Sequence, residues 1–334
     1  MANVPISLAM ADYDRTKALI EGFHKPVGID LTYVVSPPSE TFWRMLRFAE
    51  FEASEMSLST FLISKSQGRK WKAIPVFPFR GFFHTNIFVS RKSSVKEPED
   101  LKGKKFGVPE YQVTAAVWLR GALEEDFGVA PQDMTWYVER KKGLSHGGET
   151  SFKPPEGVKI EQVPEGETLD SMIRSGKLDA IMPSPYPGMK SLLNKTDYLE
   201  LSKSDEVRLL FDDPVEEGRR FFKKHGYSHI NHTVIVRDDV VEKYPWVPLN
   251  LYKAFEESKI ISNQKLDKMI KSSLVFGFPY LMKEREIFGG DAFPYGMDRN
   301  RKALEELVQM SVNQGLTSKP LDLDSLFYED TLNA

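Results

Sequence analysis

Arg80 and His84 stand inside VFPFRGFFHTNIFV at 76–89, an otherwise aromatic and apolar stretch. Arginine can hold a carboxylate through two parallel hydrogen bonds, and histidine titrates near neutrality, so the pair has the means to bind an acid and move its proton. The same residues can also serve structure, Arg80 reaching a surface partner and His84 donating to a backbone carbonyl. Glu55 lies upstream in SEMSLST at 54–60. Strand alternation puts Glu55, Ser57 and Ser59 on one face, opposite Met56 and Leu58. A carboxylate beside a His–Arg pair can orient the imidazole or act as a base, whereas the serines lack the GxSxG setting of a hydrolase nucleophile.

His229 and His232 occur in HINH. In the strand expected there they point to opposite faces, which weakens a two-histidine metal reading; His232, at the head of the apolar TVIV, is the one expected to face a ligand. A divalent metal held by His84, His232 and a carboxylate is left open, although no compact ligand spacing supports it and no cofactor is expected. Tyr111, Gln112 and Thr114 in VPEYQVT precede an expected helix, where free backbone N–H groups attract carboxylates; ordinary capping by Thr114 is the alternative. Ser184 and Tyr186 follow another strand among three prolines, a setting that also suits a rigid turn. Arg219 and Arg220, four residues or fewer from Glu216 and Glu217, read as a solvated helix face.

The elements that must position these residues alternate in period. ISLAMA, IDLTYVV and EASEMSLS read as strands, with helices at TKALIEGF and ETFWRMLRFAEF between them. This βαβαβ order implies a parallel sheet, whose ligands gather at the carboxyl ends of the strands. Asp12 and Tyr13, Ser36, and then Ser57, Ser59 and Thr60 follow the three strands and are expected to face one cleft. A second α/β unit begins after VKEPEDLKGKKFGVP. Lobe 1 is therefore expected over 1–105 and 231–334, and lobe 2 over 106–230, with the chain crossing near 105 and again at INHTVIVR. WVPLNLYKAFEESKII, LDKMIKSSLVF and NRKALEELVQMSVNQG are expected as C-terminal helices. The Gly- and Pro-rich loop KKGLSHGGETSFKPPEG at 141–157 is read as a flap whose His146 can reach the cleft or stand in solvent, exposure being the expectation.

A chain of 334 residues suits two lobes. Its 45 basic and 48 acidic residues give a net charge of −3 with the signs interspersed, so no basic field favours nucleic acid or an anionic membrane. The absence of cysteine excludes disulfides, iron–sulfur centres, thiolate zinc sites and cysteine nucleophiles. The N-terminus lacks a basic region followed by an apolar run, and no apolar run reaches about 18 residues, so a cytoplasmic location without membrane spans is expected. Homo-oligomerisation is left open.

SEMSLSTF at 54–61, VFPFRGFFHTNIFV at 76–89, FGVPEYQVTAAVWLRG at 106–121 and SHINHTVIVRDDVV at 228–241 together resemble the 4,5-dihydroxyphthalate decarboxylase family, over nearly the whole chain. The resemblance implies a two-lobed type II periplasmic-binding-protein-like fold with a ligand cleft between lobes. It implies a small aromatic carboxylic acid as partner, and loss of one carboxylate of a dihydroxylated aromatic dicarboxylate to give 3,4-dihydroxybenzoate. On that reading Arg80 clamps a carboxylate, His84 donates the proton and Glu55 or His232 orients or deprotonates. Asp12, Tyr13, Ser57, Ser59, Thr60, Tyr111, Gln112, Thr114 and Ser184 bind substrate. The same architecture also serves solute-binding proteins and pyrimidine-precursor enzymes, the latter expected to carry a cysteine- or histidine-rich iron site.

Overall fold

The computed structural model describes residues 3–186 and 191–334. Its strands are β1 Val4–Met10, β2 Ile29–Val35, β3 Ala53–Ser57, β4 Trp71–Ile74, β5 Arg80–Gly81 and β6 Phe88–Ser90. There follow β7 Lys105–Val108, β8 Thr135–Val138, β9 Lys159–Gln162, β10 Ala180–Ile181, β11 Val207–Leu209, β12 His229–Ile230 and β13 His232–Arg237. One sheet has the order β2-β1-β3-β13-β4 and a second the order β11-β6-β10-β7-β8-β9. The first three strands are mutually parallel, as βαβαβ alternation requires. The late strand β13 enters antiparallel between β3 and β4, opposing His232 to Ser57 and Val234 to Glu55. β-Branched TVIV at its centre is buried on both faces, the usual composition of a strand covered by helices on either side.

The chain leaves the first sheet earlier than expected. Phe88–Ser90 already pairs with β10 and β11 in the second sheet, so the first crossing lies between Ile74 and Phe88, not near 105. The punctuation around Pro98 belongs to a short 3-10 turn within the second lobe. β5 in this first crossing pairs antiparallel with β12 in the second, Ile230 opposite Arg80 and His229 opposite Gly81. The two crossings thus form a ribbon of their own. The indole of Trp118 donates to the Ile230 carbonyl at 2.9 Å and stacks on His229 with ring centroids 4.8 Å apart, fixing that ribbon to the helix Thr114–Phe127.

Thr114–Phe127 is buried along most of its length and ends at Gly128, whose φ of +62° a residue with a side chain adopts at a cost. WVPLNLYKAFEESKII and LDKMIKSSLVF, expected as separate helices, form one helix, Val247–Ser273. The intervening SNQK contains neither Gly nor Pro, so nothing interrupts the hydrogen-bond ladder. No helix among the described residues is long and apolar enough to cross a membrane.

Asp126, at the end of Thr114–Phe127, receives Lys224, Arg220 and His225. Burial alone would raise its carboxyl, but these partners hold it down to about 2 against an ordinary 3.8. The folded pKa lies below the unfolded one, so the stabilisation is present above pH 3.8 and is lost as pH falls toward 2. Asp126→Asn is expected to cost about 2 kcal/mol at neutral pH and to flatten the acid limb of stability between about pH 4 and 2, measured by urea unfolding at a series of pH values.

Candidate active site in the cleft

Between the two sheets lies a narrow cavity of about 50 Å³. The first sheet and its helices contribute Ser39, Phe42, Ser57, Phe79 and His232 to its wall, and the second contributes Thr114, Arg140, His146, Ser184 and Asn194. Pockets that enclose a small ligand are typically about 300 Å³ or more, so this cleft is drawn closed.

Glu55 sits in β3 with its carboxylate fully buried. The Ala11 N–H donates to it at 3.0 Å, the Tyr13 hydroxyl at 2.5 Å and His232 Nδ1 at 2.5 Å. Three donors offset the desolvation of a buried carboxylate, in geometry suited to an imidazolium. Burial, then the facing Glu55, pushes the Tyr13 hydroxyl well above the ordinary tyrosine range, so it remains a donor. With Nδ1–H committed to Glu55, neutral His232 carries its lone pair on Nε2, which accepts from Asn231 Nδ2 at 3.1 Å. The Phe42 ring meets the imidazole edge-on at a centroid distance of 4.9 Å and Phe79 lies at 5.5 Å. A carboxylate-backed histidine in an aromatic wall is equipped to exchange a proton with whatever fills the cavity.

The opposite wall is built around Arg140, which is 7% exposed. Its Nη1 donates to Glu110 Oε1 at 2.7 Å and its Nη2 to Asn194 Oδ1 at 2.7 Å. Nε points to Asn194 and Nη1 also to His146 Nδ1, leaving one Nη2–H for a ligand. Burial works against the Glu110 carboxylate, but Arg140, His146 and the Gly147 N–H hold it below its usual range. His146, expected at the surface, is buried: its Nε2–H donates to the Ser39 carbonyl across the cleft at 2.8 Å. Burial and then the adjacent guanidinium push the imidazole down to about 4, so it is neutral at physiological pH. Further bonds span the cleft here, among them Asn194 Nδ2 to Ser39 Oγ at 3.1 Å, Gln67 Nε2 to the Thr150 carbonyl at 2.5 Å and Arg47 Nη1 to Glu149 Oε1 at 2.9 Å.

Between these walls the helix Thr114–Phe127 begins. Thr114 Oγ1 bonds Ser57 Oγ at 2.8 Å and accepts from the Ser59 N–H at 2.9 Å. Val113, Thr114 and Ala115 line the cavity, and the helix Pro38–Phe48 also starts on it at Pro38 and Ser39. Two helix N-termini and one arginine give the cavity the character of an anion site.

No family model matches the chain. It is 32% identical to the 4,5-dihydroxyphthalate decarboxylase of Comamonas testosteroni over 337 aligned residues, covering 100% of this chain and 99% of that relative. The chain belongs to the 4,5-dihydroxyphthalate decarboxylase family. A relative of the same name from Pseudomonas putida is 38% identical over 229 residues, 68% of this chain and 85% of its own. The family's fold is the two-lobed one of solute-binding proteins: the Escherichia coli periplasmic aliphatic sulphonate binding protein SsuA aligns over 100% of both chains with a TM-score of 0.58 at 12% identity. The desulfurization enzyme DSZB aligns over 99% of this chain and 98% of its own with a TM-score of 0.53 at 14% identity.

In this family member the structure gathers Glu55, Tyr13, His232, Ser57, Ser59, Thr114 and Ser184 at or directly behind the cleft, and separates the remainder. Arg80 and His84, expected together there, do not line the cavity. Arg80 is held in the β5/β12 ribbon by Asn300 Oδ1, and burial pushes its guanidinium down to about 9. His84 is buried among Phe211, Phe221 and His229, with Nε2 on Glu217 at 2.9 Å. An aromatic stretch containing a cation and an imidazole has here become the packing of the hinge. His229 turns away from His232, accepts from the Phe83 N–H and is kept neutral by burial. Asp12 is exposed and paired with Lys17, and Thr60 is buried behind the cleft. Tyr111 and Gln112 line a different cavity. Pro187, the last proline of the turn carrying Ser184, lies outside the described residues.

Arg140, Asn194 and Asn231 went unrecognised in the sequence, and His146 was named there but expected in solvent. Arg140 had a signal, because it follows the strand Thr135–Val138 by two residues, at the carboxyl end where parallel sheets bind ligands.

Proposed function

We propose that this chain removes one carboxylate of 4,5-dihydroxyphthalate as carbon dioxide, giving 3,4-dihydroxybenzoate, with His232 as the proton donor. The observation that carries the reading is the buried Glu55–His232 pair opening on a cavity whose far wall holds Arg140. Full-length similarity to relatives named for this reaction supports the substrate.

The substrate is two-fold symmetric, so its carboxylates are equivalent until one is bound. Arg140 and the start of the helix Thr114–Phe127 hold the carboxylate that stays. The hydroxyl para to the other carboxylate pushes electron density toward the carbon bearing it. The His232 imidazolium, balanced by Glu55, delivers its Nε2 proton to that carbon, and a C–H bond forms. The C–C bond to the carboxylate then breaks, its electron pair restores the aromatic ring, and carbon dioxide leaves. His232 regains its proton from solvent. Asn231 gives up its bond to Nε2 when the substrate enters, and Phe42 and Phe79 flank the ring.

Among the described residues Arg140 is the only lysine or arginine in the cavity wall. The decisive assay incubates purified protein with 4,5-dihydroxyphthalate and follows 3,4-dihydroxybenzoate by absorbance together with released carbon dioxide. Stoichiometric formation of both is expected. Tight binding with unchanged recovery of the dicarboxylate would replace the enzyme reading by a solute-binding one.

A further inference from the structure

Asn231 joins β12 to β13, and its backbone is fixed on both sides. Its N–H donates to the Phe79 carbonyl at 2.9 Å, and its carbonyl accepts from the Leu58 N–H at 3.0 Å. The side chain belongs to the cleft wall beside His232, and the residue is 4% exposed. One Nδ2–H donates to His232 Nε2 at 3.1 Å. Oδ1 is buried and has no hydrogen-bond partner among the described residues. A buried carbonyl oxygen left unpaired costs free energy, so its presence in a site wall needs a reason.

The imidazole is not free to turn, because Glu55 holds Nδ1 at 2.5 Å and the rings of Phe42 and Phe79 lie against it. In neutral His232, Nε2 accepts and the observed amide suits it. Once Nε2 takes up a proton it becomes a donor, and the same amide presents N–H to N–H. An amide carries an acceptor and a donor in nearly the same shape, so turning it over exchanges the two without moving the backbone. Oδ1 gives up no protein hydrogen bond in that turn. The charged and titratable groups around His232 are Glu55 on β3, Tyr13 after β1, and His146, Arg140 and Tyr186 from the second lobe. Among the described residues Asn231 is nevertheless the one hydrogen-bond partner of Nε2.

We infer that Asn231 is a positioning residue whose amide turns over with the proton on His232, donating to Nε2 of the neutral ring and accepting from Nε2–H of the imidazolium through Oδ1. Its catalytic meaning rests on the assignment of His232 as proton donor. The charged ring is then bonded at both nitrogens, Nδ1–H on Glu55 and Nε2–H on Asn231, and its plane stays fixed until a substrate takes the place of the amide.

Neutron diffraction from substrate-free crystals of the parent protein, at about pH 9 and about pH 5, shows the amide directly. Nδ2 is expected to face Nε2 at the higher pH and Oδ1 at the lower. Asn231→Leu removes both bonds, and a hydrogen bond to a charged partner is worth more than one to a neutral partner. The NMR titration midpoint of the His232 imidazole is therefore expected to fall by about one pH unit in that variant. An amide fixed as a donor favours the neutral ring, so its removal would raise the midpoint instead. The alkaline limb of kcat/KM should fall with the midpoint, because turnover needs the protonated ring. One amide orientation at both pH values, or a midpoint that rises or stays, would overturn the inference. A midpoint that falls without the kinetic limb following would uphold the turning amide and overturn His232 as the proton donor.

Discussion

Replacing His232 by alanine is expected to lower kcat for 4,5-dihydroxyphthalate by about 10²–10⁴-fold, the usual worth of a positioned acid, with a much smaller change in KM. Among the described residues His232 is the one histidine that lines the cleft with a ring nitrogen on a buried carboxylate. Its removal leaves Glu55 with the Tyr13 hydroxyl and the Ala11 N–H, enough to keep the sheet folded. Glu55→Gln tests the partnership from the other side. The amide still accepts a hydrogen bond but carries no charge to balance an imidazolium, so kcat is expected to fall while the fold persists. His84→Ala provides the contrast, because His84 packs the hinge and does not line the cavity. Its melting temperature should drop, while turnover per folded molecule stays within about threefold of the parent. A His84 variant that folds normally but loses turnover, beside a His232 variant that keeps it, would reverse the assignment.

The second large effect is expected at Arg140. Truncation to alanine leaves the Glu110 carboxylate buried without its cation, and breaking such a pair typically costs about 3–5 kcal/mol. It also removes the one cation of the cleft wall among the described residues, so KM should rise by about 10²-fold or more. The two consequences separate in a double variant. Adding Glu110→Gln to Arg140→Ala removes the unpaired charge, and much of the lost stability should return while KM stays high. Thermal melts and steady-state kinetics on the two single variants and the double variant measure this. Recovery of KM together with stability would mean that Arg140 supports the fold without touching substrate.

The βαβαβ opening was legible because each of its strands carries its own periodicity; the carboxyl-end rule located Ser57 at the cleft, and the expected helix start located Thr114 there. Glu55 was legible by alternation, as a charge where β3 should present a buried face. His232 was legible by its place at the head of an apolar strand. The failure at Arg80 and His84 has a physical cause. The hydrogen-bond partners that hold them come from afar, Asn300 being 220 residues from Arg80 and Glu217 133 residues from His84. No local pattern distinguishes a polar group satisfied at that range from one awaiting a ligand. His146 was misjudged for a related reason. Its loop is polar and rich in glycine, but bonds to the Ser39 carbonyl, Arg140 and Glu110, with the ring of Phe42, draw it inside.

Glu55 and His232 lie on neighbouring strands of one sheet, while Arg140 hangs from the other. On the proposed mechanism, the acid is therefore assembled permanently, and the grip on the substrate is not. Parting the lobes leaves a competent proton donor facing bulk water with nothing oriented in front of it, which does no harm, because a lone imidazolium in water is chemically idle. The substrate becomes the strut that joins the two halves of its own catalyst. An acid too short to reach from Arg140 to His232 would then be bound by one half and ignored by the other, so the span between the sheets acts as the enzyme's ruler.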